Sequence, residues 1–331
     1  GDAVWIAPDL VSEDLEGGTQ VDDSDSSTLR ALSIAIGGVT CKGWSAVGAQ
    51  YRFSHSSEAP LAAWIAERKV RAERSLEDIA FVECTPRFPA DVKIGESSDL
   101  SDTHDMVILI NGPECMGFPA LRSRFAGAIL NRKTVVWCGP RGEDLVKDFR
   151  QRFWRSLRMP ECILLCDNAQ SRLSYYMELV DGKIDQPTFL EMAPWEQMTF
   201  MGPPGMNQRF GEWQLHCSET HFMQDGEGYL CDLDHHPKTK GSCAGGRMFP
   251  TLLTHGTVCS IDGPQSWRLA TPAERFASLG FHCLPETCHD NPQSPLMRVI
   301  LEAGLSRRQL EQITGNGMHL HAQASWMICV L

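Results

Sequence analysis

From residue 31 to residue 138 the chain alternates short apolar runs of strand length with amphipathic stretches. That alternation restricts it to a sheet covered by helices. The runs are 31–36, 79–83, 106–110, 125–130 and 134–138. Between the first two, residues 57–74 set Leu61, Ala62, Trp64, Ile65 and Val70 among Glu67, Arg68, Lys69 and Arg71, with Pro60 in the opening turn. Such spacing predicts an amphipathic helix. Strand, helix, strand predicts a parallel α/β sheet, in which chemistry gathers at the carboxyl ends of the strands. Cys41 follows the first run on a loop flanked by Gly37, Gly38, Gly43 and Gly48, and Glu83 closes the second. Both are therefore expected on one rim. A thiolate there is the most reactive ordinary side chain near neutral pH, whereas a lone cysteine beside a loop is otherwise a small buried hydrophobe.

Further along, residues 144–158 predict a second amphipathic helix, with Leu145, Phe149, Phe153, Trp154 and Leu157 among arginines, and 162–166 predict another short strand. Residues 190–246 are rich in Gly, Pro, Met, Trp and His without clear period and read as loop-dominated. Order returns with Thr271-Pro272-Ala273-Glu274, a capped helix start, and with Ser306 and Gln309, a capping box. A final apolar helix or strand is expected over 318–331. The organisation predicted is a disordered acidic lead-in (1–30), a catalytic α/β domain (31–132), a smaller inserted recognition-like lobe (133–246) and a C-terminal segment returning to the catalytic domain (247–331).

With 331 residues, two lobes are expected. No apolar run approaches the ~20 residues that span a bilayer, so no membrane partner is expected. Thirteen cysteines, an odd number at low density, suit a reducing compartment; an intracellular protein, nuclear in a eukaryote, is the expectation. The chain opens at Gly1 without methionine, which suggests a piece of a longer product. A net charge of −12 argues against non-specific coating of nucleic acid, but the charge is uneven. Residues 1–40 hold eight acids against Arg30, a net of −7, and residues 121–158 hold ten bases against three acids, a net of +7. A local basic zone is the footprint of phosphate contact, and Arg150 and Arg155 are its candidates, or else it is a solvated helix face. His216, Cys217, His221 and Cys231 offer loose zinc-ligand spacing, but no paired Cys-x-x-Cys accompanies them. No metal is assigned.

Five stretches in fixed order make the chain resemble the cytosine carbon-5 DNA methyltransferases, over about residues 31–331. Gly38-Val39-Thr40-Cys41-Lys42-Gly43-Trp44-Ser45 is similar to that family's Gly-Pro-Pro-Cys-Gln-Gly-Phe-Ser nucleophile loop. Phe81-Val82-Glu83-Cys84-Thr85 stands where the family closes a strand with Glu-Asn-Val. Gly117-Phe118-Pro119-Ala120-Leu121-Arg122-Ser123-Arg124 matches Gly-x-Pro-Gln-x-Arg-x-Arg before a strand. Arg268-Leu269-Ala270-Thr271-Pro272-Ala273-Glu274 with Leu279-Gly280-Phe281, and Gln312-Ile313-Thr314-Gly315-Asn316-Gly317, match the closing segments.

The resemblance implies a Rossmann-like methyltransferase sheet, S-adenosylmethionine as cofactor and a flipped cytosine in DNA as substrate. It casts Cys41 as the nucleophile that adds to ring carbon 6, and Glu83 as the acid at ring nitrogen 3 and the exocyclic amine. Arg122 and Arg124 would hold the base carbonyl and a phosphate, Trp44 and Ser45 would line the nucleic acid, and Gly315 and Asn316 would close near the cofactor. Thr40, Cys84-Thr85 and Ala120 depart from the pattern. The glycine-rich cofactor strand is not recognisable before Cys41, so the sheet is expected to be partial. Two alternatives stay open: a catalytically degenerate nucleic-acid-binding or regulatory homologue, and a methyltransferase acting on transfer RNA.

Overall fold

The computed structural model describes residues 4–6, 31–38, 44, 51–56, 58–156, 161–165, 167–220, 228–238, 246–254, 256–263, 266–281, 299–300 and 302–331. Cys41, Ser45, His221 and the lead-in beyond Ile6 lie outside the described residues. The chain divides into two compact units. The first comprises Gly1–Asn111, Ser123–Trp154 and Gln323–Leu331, and the second Gly112–Arg122 and Arg155–Ala322. These boundaries differ from the expected ones: residues 133–154 pack with the first unit, and from the C-terminal segment only 323–331 does so. The physical reason is burial. Leu145 and Phe149, and at the far end Trp326, Cys329 and Val330, all enter the core of the first unit's sheet.

The fold is mixed α/β. Strands β1 (Val4–Ile6), β2 (Ile34–Gly38), β3 (Ile79–Cys84), β4 (His104–Asn111), β5 (Arg124–Asn131) and β6 (Val135–Trp137) form in the first unit, close to the apolar runs. The main sheet has the order β2-β3-β5-β4, and β1 pairs separately with β6. Only β2 and β3 pair in parallel; β5 lies between β3 and β4 and opposes both. The strand–helix–strand pattern thus gives a parallel pair in β2 and β3, and β5 makes the sheet mixed. A parallel return needs a crossover, usually a helix. Helix α1 (Glu58–Glu73) supplies one between β2 and β3, whereas residues 112–123 between β4 and β5 hold only the 3₁₀ turn Pro113–Met116.

All six residues of β3 are buried, as befits a strand covered on both faces. On one face Ile79, Phe81, Val107, Leu109, Ala126 and Ala128 meet helix α3 (Gly142–Phe153) and the C-terminal helix Leu320–Val330. On the other, Ala80, Val82, Cys84, Phe125 and Ile129 meet Leu61 of α1, Phe88 and Ile94, the last on the short helix α2 (Ala90–Ile94). The base of the sheet is tied by a buried ion pair, Arg68 to Glu77 at 2.7 Å, and by the Ser33 amide donating to Asp78 at 2.7 Å.

The second unit carries a three-stranded antiparallel sheet, β7 (Tyr229–Asp232), β8 (Val258–Ile261) and β9 (Trp267–Leu269). Against it pack helices α4 (Ala169–Val180), α5 (Gln186–Glu191), α6 (Pro194–Met201) and α7 (Met206–Glu219). The loop-dominated reading of 190–246 is thus corrected: its first part is helical. Pro187 and Pro194 occupy first turns, where the missing N–H is harmless. Met206, Phe210, Trp213 and Cys217 form one buried stripe at helical spacing. The strand expected over 162–166 is instead a 3₁₀ turn, Glu161–Leu164. Helix α8 (Pro272–Ala277) starts where the cap at Thr271 predicts, with the Glu274 amide donating to the Thr271 hydroxyl and the Thr271 amide to the Glu274 carboxylate. The apolar tail is the helix Leu320–Val330, and among the described residues no helix is long and apolar enough to cross a membrane.

Candidate functional site

Strands β2, β3 and β4 run in one direction, so their carboxyl ends Gly38, Glu83-Cys84 and Asn111 share a rim with Arg124, the first residue of β5. Register makes the grouping specific. Gly38 stands opposite Glu83, Glu83 opposite Ala126, and Asn111 opposite Arg124. Because alternate residues of a strand share a face, Glu83, Arg124 and Asn111 point to the same side of the sheet. Glu83 is buried, and its Oε1 lies 2.8 Å from Arg124 Nε. Arg124 also donates from one guanidinium nitrogen to the Ser123 carbonyl at 2.8 Å. Burying a carboxylate is costly without a counter-charge; Arg124 is that counter-charge.

Asn111 was not legible as a site residue in the sequence. It is buried, and its side-chain nitrogen has no hydrogen-bond partner among the described residues. An asparagine ending an apolar strand run, immediately before Gly112-Pro113, was the available signal.

The other expected site residues fall elsewhere. Trp44 is buried with Val82, Cys84 and Phe125, on the opposite face of the sheet from Glu83, and its indole N–H donates to Glu58 at 3.1 Å. Glu58 is also held by Lys93. That geometry places Trp44 among the core side chains of this face. Arg150 is exposed on α3, and Arg155 is exposed in the second unit, its amide donating to the Cys115 carbonyl at 3.3 Å.

Arg122, two positions from Arg124, belongs to the second unit. It is buried and donates to three backbone carbonyls: Leu252 at 3.4 Å, Gly315 at 3.2 Å and Gly317. Its own amide donates to Glu114 at 3.5 Å. This guanidinium ties the 252 and 315–317 segments together. Gly315 lies so close to this strand of chain that a Cβ there would sit 2.4 Å from the Thr254 amide nitrogen, and Asn316 is exposed at the end of the helix Arg307–Asn316. Nearby, Phe118 packs edge-on against His319 and tilted against His321. Burial, with His321 and Arg122 adding to it, pushes His319 down to about 3.

The zinc reading gains no support, since no group of three metal-ligating side chains occurs among the described residues. His216 packs edge-on against Trp213 and Tyr229. Cys217 and Cys231 are fully buried, and burial pushes the Cys217 thiol up to about 12, the mark of an inert structural thiol.

No family model and no curated protein sequence matches the chain. In structure it is similar to the Entamoeba histolytica methyltransferase EhMeth, at 11% identity and a TM-score of 0.42 over 90% of this chain and 76% of that one. It is also similar to the S. pombe Dnmt2 methyltransferase, at 12% identity and a TM-score of 0.44 over 90% and 77% of the two chains. A third similar structure is a triple mutant of Spodoptera frugiperda DNMT2, at 11% identity and a TM-score of 0.41 over 90% and 79%.

Proposed function

We propose that the chain is a cytosine carbon-5 methyltransferase acting on DNA, with Cys41 as nucleophile and Glu83 and Arg124 as the groups that hold the base. The carrying observation is the Glu83–Arg124 pair, 2.8 Å apart on the strand rim and in register with Gly38. Two residues, Val39 and Thr40, separate Gly38 from Cys41 in the sequence, and the three Cα steps between them span about 11 Å at most.

On this reading a cytosine leaves its stack and enters with its N3 edge toward Glu83 and its O2 toward Arg124. Moving Arg124 from the carboxylate to the base carbonyl removes the counter-charge, and a buried carboxylate without one takes up a proton. Glu83 then accepts from the exocyclic amine and gives its proton to N3. The Cys41 thiolate adds to carbon 6; the carbon 5–carbon 6 π pair shifts into the ring as the sulfur–carbon bond forms, leaving carbon 5 as the nucleophile. Arg124 offers O2 a planar, fully charged donor.

The methyl donor implied by the resemblance is S-adenosylmethionine. The two residues expected near it do not fit as a cradle: Gly315 is packed against Thr254 and Asn316 ends a helix in solvent. That packing also favours a second reading, a nucleic-acid-binding homologue without methyl transfer.

Trapping on 5-fluorocytosine oligonucleotides separates the readings. With S-adenosylmethionine present, wild type should form a covalent adduct on duplex DNA that Cys41→Ala cannot form. Absence of any wild-type adduct sinks the proposal, and salt-dependent binding that survives Cys41→Ala without an adduct supports the second reading. An adduct on transfer RNA alone moves the substrate from DNA to RNA.

A further inference from the structure

We infer that Asn111 is a third base-holding residue, donating from its side-chain amide to the ring carbonyl O2 beside Arg124. The inference rests on the methyltransferase reading above and deepens it, since that reading leaves Asn111 without a task.

Asn111 closes β4, and register fixes its place on the rim. It stands directly opposite Arg124 on β5, while Glu83 stands opposite Ala126, two positions further along the same strand. Cross-strand partners have Cβ atoms about 5 Å apart, and alternate residues of a strand share a face. The three side chains therefore rise side by side, with Arg124 on the middle strand. All three belong to the first compact unit.

What sets Asn111 apart is an unmet donor. The residue is 6% exposed, and its Nδ2 is buried with no acceptor among the described residues. A buried amide N–H without an acceptor costs folding free energy, and native proteins keep few such groups. Its neighbours on the rim do not relieve it. Arg124 carries donors only, and Glu83 Oε1 lies 2.8 Å from Arg124 Nε.

The missing acceptor is what a pyrimidine brings. On the reading above, N3 and the exocyclic amine go to Glu83 and O2 goes to Arg124. A carbonyl oxygen has two lone pairs. Arg124 fills one, and Asn111, opposite Arg124, is placed to fill the other. Two donors on O2 stabilise the negative charge that moves onto the ring as sulfur adds to carbon 6. They also discriminate against a ring that lacks the acceptor. The orphan donor is then a cost carried by the free protein and relieved when the base arrives.

Single-turnover trapping with S-adenosylmethionine, on one duplex carrying 5-fluorocytosine and another carrying 5-fluoro-2-thiocytosine, tests this. Sulfur is a poorer acceptor than oxygen, so the thio duplex should slow wild type. Asn111→Leu should slow trapping on the oxygen duplex about tenfold. The thio substitution should then cost this variant less than it costs wild type, because both changes remove the same bond. Asn111→Ser, too short to reach O2, should behave alike. Without DNA, Asn111→Leu should melt no lower than wild type, since it deletes a buried donor that has no partner. Equal trapping rates in wild type and both variants, or thio effects of equal size in all three, overturn the inference. Earlier melting of both variants also overturns it, because the amide is then bonded in the free protein. A wild type that forms no adduct on the 5-fluorocytosine duplex sinks the methyltransferase reading and this assignment together; an adduct whose rate ignores residue 111 sinks the Asn111 assignment alone.

Discussion

Two arginines separated by one serine carry different duties, and only their surroundings tell them apart. Arg124 faces a carboxylate, so it can exchange that partner for a base carbonyl; Arg122 faces three backbone carbonyls. Glu83→Gln keeps the shape of the side chain and removes the transferable proton. It should slow adduct formation on 5-fluorocytosine DNA by about 10²–10⁴-fold, with the circular dichroism melt little changed. Arg122→Ala should do the reverse of a site mutation: it removes a buried guanidinium that bonds the Leu252, Gly315 and Gly317 carbonyls and should cost about 3 kcal/mol in urea unfolding. A cytosine-binding role for Arg122 would instead show as lost trapping at unchanged stability.

Elements followed the sequence where local rules were strong. Helix α8 starts at its predicted cap, and Thr271→Ala should cost about 1 kcal/mol, read from the urea midpoint. The runs 79–83 and 106–110 became β3 and β4 because each apolar stretch is short and bounded by polar or turn residues. Helices α5 to α7 escaped the reading because proline and methionine look like loop composition until the prolines are recognised as first-turn residues. Gly315 shows the opposite limit. Nothing local marks it, yet Gly315→Ala would press a methyl group onto the Thr254 backbone; a loss of about 2 kcal/mol or more is expected, since backbone gives way less readily than a side chain.

Across the whole molecule, each unit buries one histidine among its described residues. His104 in the first is pushed down to about 4, mainly by burial, and His319 in the second to about 3. A histidine whose folded value lies below its unfolded 6.5 leaves the unfolded state holding more protons at acid pH, so stability is full above about 6.5 and falls as pH drops toward the folded values. Thermal melts from pH 7 to pH 4 should move steadily downward. His319→Asn keeps an acceptor for the Ala322 amide and should flatten that slope, whereas an unchanged slope would exclude His319 as a cause.

By itself the sequence determined the α/β class, the positions of β2 to β6, the capped helices and the neighbourhood of Glu83 to the strand preceding Cys41, because hydrophobic period and capping chemistry act over a few residues. Tertiary structure alone decided that β5 runs against its neighbours, that Trp44 turns into the core, that Arg122 is a clamp while Arg124 meets Glu83, and that Asn111 joins them. Those outcomes depend on which strands lie side by side and in what register, and pairing between residues dozens of positions apart leaves no periodic mark in the chain.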